Sequence, residues 1–411
     1  MHSSTPSKNK LSRNIFIGLL AGIVLGYIFY KQAIAKSYID AFALVPEVFL
    51  RLIKMIVAPL VFSTLVVGIA KLGDIKSVGR IGAKTLLWFL GASFLSLLLG
   101  MLLVNIWQPG IHMHLPLPAA DATVDIAQHA IGLKEFLYHV FPSSVIDAMA
   151  KNEILQVVVF SIFFGIATAA IGEKGTIIVD FLDAVAHVIL KMTQYIMYFS
   201  PVAVFAAMAA IIAKQGPSIL STYSILIGEF YTALLLLIVL LIIIGYLFIG
   251  KRIGTLLKHI KEPILLAFST SSSEAAFPRT LLELERFGCP NKITSFVLPL
   301  GYSFNLDGSM MYMTFASIFI AQSYGIPLDL PTQFSMLLVL MLTSKGIAGV
   351  PRASLVVIAG TLSMFHIPEA GLLLLMGIDP ILDMGRSATN VIGNSIATVV
   401  VSKWENELKP E

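Results

Sequence analysis

The chain is short of charge. Asp, Glu, Lys and Arg make up 13% of its 411 residues, about half the share of a soluble domain, while hydrophobic residues make up 57%. That balance excludes a protein with a water-facing surface and makes the lipid bilayer its solvent. Cysteine is almost absent. The single Cys289 has no second cysteine for an intramolecular disulfide and no CxxC or neighbouring His, which excludes a redox or structural-metal role. A phosphate-binding loop is missing as well: the nearest string, Gly245 to Lys251, is followed by Arg252 where Ser or Thr is required, and no strand precedes it. No Ser-His-Asp or Cys-His set falls at a shared depth. These gaps argue against an ATP-driven pump and against a membrane enzyme; no cofactor, metal centre or nucleic-acid partner is expected. The formal charge of +4 is spread over segment ends, where Lys and Arg act as topology signals.

What the chain has in quantity is apolar sequence in lengths of about 20 residues, enough to cross a hydrocarbon core as helix. The first run, Ile15 to Tyr30, follows Lys8, Lys10 and Arg13 as a signal peptide would. It is too long for one and lacks a small-residue cleavage site before Lys31, so it reads as a retained helix. Further helices are expected at Ala43–Ala70, Lys84–Trp107, Val145–Ile171, Ile177–Ala213 with a kink at Pro201, and Ile225–Gly250. Lys71, Lys76, Arg80 and Lys84 crowd the second connection, whereas Gln108 to Leu133 has no Lys or Arg. The positive-inside rule then puts both termini in the cytoplasm of a multi-pass cell (inner) membrane protein and the long loop outside.

After Lys251, Arg252, Lys258 and Lys261 the pattern changes. Ile264–Leu282 carries Ser269 to Glu274 in its middle; Ile293–Ala321 is broken by SFNLDGS at Ser303 to Ser309; Phe334–Phe365 is broken by TSKGIAGVPRAS at Thr343 to Ser354. The last helix, Leu373–Trp404, carries Asp379, Asp383, Arg386, Asn390 and Asn394. Broken helices survive in lipid only where they are buried in protein or line a wet cavity, so four such neighbours imply one shared site. The segments around Ser272 and Gly349 read as re-entrant hairpins with arms of about 10 to 15 residues and polar tips.

Asp383, Arg386, Asn390 and Asn394, at spacings of three, four and four, share one helical face, with Asp379 four residues earlier. A charge at mid-membrane costs at least about 2.5 to 3.5 kcal/mol, so these groups need partners. Either they form an internal salt bridge that holds the bundle, or they offer a carboxylate to an ammonium and a guanidinium to a carboxylate. Unwinding at Gly308 would free carbonyls beside the oxygens of Asn305 and Asp307, a set suited to a hard cation or a proton. Backbone amides at the Ser271–Ser273 and Gly346–Gly349 tips can hold a carboxylate as helix N-termini do. Taken singly, such strings serve helix packing equally well.

The order of serine-rich hairpin, NLDG-broken helix, GVP-tipped hairpin and DMGRSATNVIGN helix resembles the dicarboxylate/amino acid:cation symporter family, which includes the glutamate transporters. Pro59, Leu60 and Gly79 to Lys84 agree in the first half, so the resemblance spans essentially the whole chain. It implies an all-α polytopic fold of eight transmembrane helices and two re-entrant hairpins, assembled as a homotrimer. A scaffold (residues 1–83 and 111–215) would hold a transport domain (84–110 and 216–411) that slides across the membrane with its cargo. By the same resemblance Asp383 meets the substrate ammonium and Arg386 its side-chain carboxylate, with Ser387 and Asn390 beside them. Thr270, Ser272, Ser309, Gly349 and Val350 close around the rest.

Departures from the family pattern bear on the coupling ion. Sodium-coupled members place a Tyr and a Thr on the third helix, a Thr in the second hairpin and an Asp on the last helix as cation ligands. This chain has Phe89, Ala92, Ile347 and Asn394 there, while Ser93, Asn305, Asp307 and Asn390 remain. Na⁺ would be undercoordinated, so H⁺ is the expected coupling ion, with Na⁺ as the alternative. Some proton-coupled relatives carry an acid where Met313 stands, so another carrier is needed. Glu274, beside the serine tip, is the candidate; Asp307 is its rival, and a Glu that merely bonds the adjacent backbone is the other reading. Asp383 favours an acidic amino acid, glutamate or aspartate, over a C4-dicarboxylate, which has no ammonium to bind. An anion channel is the reading from a different class. Arg352, in the second tip, is read either as a solvated loop charge or as an attractor of acidic substrate.

Overall fold

A computed structural model describes residues 8–32, 34, 36–72, 75–112, 117–118, 138, 140–344 and 353–410. Among them there are helices and no strands. The principal helices are α1 (Lys8–Lys31), α2 (Lys36–Leu72), α3 (Ile75–Trp107), α4 (Val145–Lys151), α5 (Ile154–Ala170), α6 (Thr176–Met197), α7 (Ser200–Thr222) and α8 (Ser224–Ile249). They continue with α9 (Arg252–Thr270), α10 (Ser273–Phe287), α11 (Asn291–Phe304), α12 (Asp307–Ser323), α13 (Leu330–Thr343), α14 (Ala353–Met364) and α15 (Asp379–Trp404).

Among the described residues, four stretches are long and apolar enough to span a bilayer unbroken: Arg13–Lys31, Ser37–Ala70, Lys76–His112 and Ser224–Ile249. The expected kink near Pro201 is a full break, since α6 and α7 meet at 52°. The expected single element Val145–Ile171 is two helices instead. Asn152 adopts φ 55° and ends α4, because its amide closes back on the carbonyls of Ala148 and Met149. The basic second connection, expected as a loop from Lys71 to Lys84, is helical from Ile75 onward. Arg80 and Lys84 fall one turn apart and both reach the Glu405 carboxylate at 2.7 Å.

Close packing of the first helices rests on glycine. A Cβ on Gly18, Gly22 or Gly26 of α1 would stand 2.6, 2.4 and 2.7 Å from the carbonyl oxygens of Pro201, Phe205 and Ala209 on α7, so the two backbones meet directly, as small residues allow in membranes. α2 joins this group through α5, α6 and α7. The second group is centred on α15, which packs against α3, α8, α9, α10, α11 and α12. Its residues from Met384 to Ser402 are all buried.

The first re-entrant hairpin is α9 with α10, turning at Ser271 (φ 50°) and Ser272. Its second arm, at 15 residues, has the expected length, while the first, at 19, is longer because α9 starts at Arg252. Lys258 and Lys261 ride its outer face while Ile253, Leu256 and Ile260 are buried, an amphipathic pattern that hydropathy alone reads as loop. The expected break in SFNLDGS falls at Asn305 and Leu306, between α11 and α12. α13 and α14 are the arms of the second hairpin and touch each other and α12. Its tip, 345–352, lies outside the described residues, and with it Gly346, Ile347, Gly349, Val350 and Arg352. The last helix begins at Asp379, not Leu373: a short turn at Leu373–Met376 comes first, and Pro380 sits in the opening turn of α15.

Candidate functional site

Two clusters of polar side chains meet in the interior of the second group, both built on α15. In the first, the buried Arg386 bonds Asp379 Oδ1 at 2.9 Å and Asp383 Oδ1 at 3.0 Å through the same nitrogen, Nη2. Its guanidinium lies 4.0 Å over the ring of Tyr312 from α12, a cation–π contact that fixes the plane of the fork. Nε and Nη1 are buried with no hydrogen-bond partner among the described residues. Asp379 is buried in the first turn of α15, whereas the Asp383 side chain retains 36% of its exposure. The internal salt bridge foreseen as one reading of this stripe is therefore present, and among the described residues it leaves two guanidinium nitrogens without a partner. Ser387 is buried next to Arg386 on the same helix.

The second cluster stitches α15 to the break between α11 and α12. Asn390 Oδ1 accepts from the Gly308 amide at 2.9 Å and its Nδ2 donates to Ser309 Oγ at 3.2 Å. Asn390 thereby caps the first turn of α12, whose opening amides have no intrahelical acceptor. Asn305 Nδ2 donates to Asp307 Oδ2 at 2.9 Å and to Asn394 Oδ1 at 3.2 Å. From α3, Ser96 donates to Asp307 Oδ1 at 3.3 Å, while Ser93 donates to the Phe304 carbonyl, also at 3.3 Å. Phe89 and Ala92 are buried on that helix.

Glycines make this closeness possible. A Cβ on Gly393 would stand 1.8 Å from Asp307 Oδ2, one on Gly301 2.3 Å from Asn394 Oδ1, and one on Gly308 2.7 Å from the Arg386 carbonyl. Gly393→Ala is expected to push Asp307 out of its hydrogen bonds at a cost of about 1 to 3 kcal/mol, the range for overpacking. Its unfolding temperature should fall, and coupled uptake should fall further than exchange. A Gly393→Ala protein as stable as wild type would remove Asp307 from this position.

The serine tip is tied in from the side. Ser271 Oγ donates to the Pro380 carbonyl at 3.2 Å, linking the hairpin turn to the start of α15. Ser272 caps α10 by accepting from the Ala275 amide at 3.3 Å, and Thr270 Oγ1 donates to Leu266 O at 2.8 Å. Thr270 and Ser272, expected at the substrate, thus bond the hairpin's own backbone here. Glu274 opens α10 half-buried, with the charge of Lys54 on α2 near it and no hydrogen bond to the Asp307 cluster. Of the expected residues, then, the fold brings together Asp383, Arg386, Ser387, Asn390, Ser309, Asn305, Asp307, Asn394 and Ser93. It leaves Glu274 apart, and Gly349 and Val350 are not described.

Three participants were missed. Tyr312 follows Asp307 by five residues and could have been found by projecting α12 from the break. Ser96 is one turn beyond Ser93. Tyr231 on α8 donates to the Ile381 carbonyl at 2.7 Å, a tertiary contact that no local pattern announces.

Residues 11–404 match the model of the sodium:dicarboxylate symporter family. The chain belongs to that family. It is a transport family, not an enzyme family, and the protein is a symporter built as a multi-pass helical membrane protein. The proton/sodium-glutamate symport protein of Geobacillus stearothermophilus is 42% identical over 409 residues, covering 98% of this chain and 96% of that one. The C4-dicarboxylate transport protein of Geobacter sp. (strain M21) is 43% identical over 394 residues, 94% of this chain and 88% of that one. That of Rhizobium leguminosarum is 40% identical over 408 residues, with 98% and 90% covered.

Proposed function

We propose that this symporter carries acidic amino acids, glutamate or aspartate, coupled to protons. The observation that supports it is the buried Arg386 fork with Nε and Nη1 unpartnered among the described residues beside an Asp383 carboxylate that keeps 36% of its exposure. A side-chain carboxylate can accept from the Nη1 hydrogens, and an ammonium fits the open side of Asp383. Asp379 holds Arg386 from below and stays out of reach of cargo. Closure of the second hairpin tip, Gly349 and Val350 included, completes the enclosure. The protein works as a homotrimer in the cell (inner) membrane with both termini cytoplasmic, residues 84–110 and 216–411 moving against the rest as one body.

One observation favours a second reading, transport of C4-dicarboxylates: Asp383 is itself bonded to Arg386 at 3.0 Å, so its carboxylate has an internal use, and relatives of 40% and 43% identity are named for that substrate class. Uptake of labelled glutamate, aspartate and succinate into proteoliposomes, under an imposed pH gradient or an imposed Na⁺ gradient, separates these readings. Amino acid accumulation driven by protons alone is the expected result; succinate in preference to both amino acids overturns the substrate, and flux that neither saturates nor accumulates substrate uphill marks the channel reading.

The coupling proposal assigns the proton to Glu274. The position lies outside the Asp307 cluster, at a hairpin turn where water access changes as the transport body moves. Glu274→Gln mimics the protonated carboxyl, so exchange of internal for external substrate is retained and pH-driven accumulation is lost. Accumulation by Glu274→Gln under a proton gradient without Na⁺ removes Glu274 and leaves Asp307 as carrier. A wild-type requirement for Na⁺ removes proton coupling altogether, and the Asp307, Asn305 and Asn394 oxygens then become the cation site.

A further inference from the structure

α10 packs against α2 as well as against its own group, and the contact brings Glu274 of one helix near Lys54 of the other. The two charges therefore lie on opposite sides of the boundary between the helix groups. On α2, Glu47, Arg51 and Lys54 follow at spacings of four and three, which puts them on one face. All three are exposed inside a stretch apolar enough to cross the bilayer, where charges are costly and mark functional positions. Lys54 is the last of them: from Met55 to Ala70 no Asp, Glu, Lys, Arg or His follows. The hydroxyls of that run, on Ser63 and Thr64, donate to the Pro59 and Leu60 carbonyls of their own helix.

The groups around Glu274 differ in the body to which they belong. Tyr302 of α11 faces it, with its ring edge-on to Phe277 of α10 at 5.4 Å, and the amino end of α10 favours a carboxylate in its first turn. Tyr302, Phe277 and the α10 dipole all travel with Glu274. α9, α15 and α6 also touch α10 and add no charged group at Glu274 among the described residues. Lys54 alone stays behind when the transport body moves as proposed above. A step toward the cytoplasm carries Glu274 along α2 past Lys54 and into the uncharged run. An ionised carboxyl loses its counter-charge in that step, and a protonated one has none to lose.

We propose that Lys54 is the electrostatic partner through which the charge on Glu274 sets the position of the transport body. While Glu274 is ionised, Lys54 favours the position seen here; a proton on Glu274 removes that preference. A change in relative stability of the two positions is what a bound proton needs to shift their populations. The unprotonated, empty carrier is thereby drawn back to Lys54, and protonation lets the loaded one leave it.

The inference rests on Glu274 as proton carrier, and the test separates the two. Exchange of internal for external substrate is measured in proteoliposomes over a pH series, with equal pH on both sides. Wild-type exchange is expected to fall as pH rises. Lys54→Gln should move that fall upward by about one pH unit, because removing a cation beside a carboxyl favours its neutral form. Lys54→Arg should keep the wild-type profile, and so should Arg51→Gln, one turn away on the same face. In Glu274→Gln the profile is flat, and adding Lys54→Gln changes nothing. A wild-type profile in Lys54→Gln, alongside a flat one in Glu274→Gln, overturns the role of Lys54 and leaves the carrier standing. An equal shift in Arg51→Gln, or a shift that persists without Glu274, overturns it as well. A profile that Glu274→Gln leaves unchanged removes carrier and partner together. Lys54→Gln alters an exposed side chain and should keep its unfolding temperature; Lys54→Met supplies the same readout if it does not.

Discussion

Arg386→Ala is expected to abolish uptake of acidic substrates. Truncating one partner of a buried, hydrogen-bonded charge pair costs roughly 2 to 5 kcal/mol of binding, about 30-fold to several thousandfold in affinity. The geometry adds a second consequence. Asp379 and Asp383 converge on one guanidinium nitrogen at 2.9 and 3.0 Å, so removing it leaves two carboxylates facing each other, Asp379 wholly buried. Breaking a buried ion pair from one side costs about 3 to 5 kcal/mol of stability. Loss of transport must therefore be separated from loss of fold. Arg386→Ala/Asp379→Asn lowers the residual negative charge and should recover unfolding temperature without recovering uptake. Arg386→Lys keeps the charge but not the fork, and should fold yet bind weakly. A folded Arg386→Ala protein with wild-type affinity for glutamate, aspartate and succinate would end the assignment.

Asp383→Asn should discriminate between the two substrate readings. The change keeps shape and removes charge, so the Arg386 contact survives as a neutral-acceptor hydrogen bond, while Asp379 continues to hold the guanidinium at 2.9 Å. Loss of a charge-assisted contact to the substrate ammonium weakens amino acid binding by about 1.5 to 3 kcal/mol. Succinate, with no ammonium, should bind as well as before or better. Competition of each compound against labelled substrate in the same proteoliposomes gives both affinities at once. Equal weakening of glutamate and succinate would make Asp383 a positioning residue for Arg386 and favour a dicarboxylate.

The stripe on α15 was legible because helical periodicity is a local property: Asp383, Arg386 and Asn390 at three and four must share a face once the segment is helical. The break at Asn305 and Leu306 was legible for a similar reason, since a polar NLDG string inside an apolar run cannot continue as an ordinary lipid-facing helix. Less was legible where a residue's use depends on a distant backbone. The Asn390 side chain, expected beside the substrate, also caps α12 across 82 positions of chain. Ser272 and Thr270, expected at the substrate as well, also bond the nearby backbone of their own hairpin. Arg80 reads as a charge of the second connection, yet it is helical and, with Lys84, a partner of Glu405.

Composition, periodicity and motif order by themselves determined that the chain lives in a bilayer, where its helices break, and which side chains lie on one face of the last helix. These follow from the solvent and from 3.6 residues per turn, which need no knowledge of neighbours. Only the tertiary structure decided that Asp379 shares Arg386 with Asp383, that Tyr312 lies beneath the guanidinium, and that Gly393 makes room for Asp307. Those are matters of distance between helices, fixed by which backbones can approach. Sequence spacing carries no measure of that approach until the helices are packed.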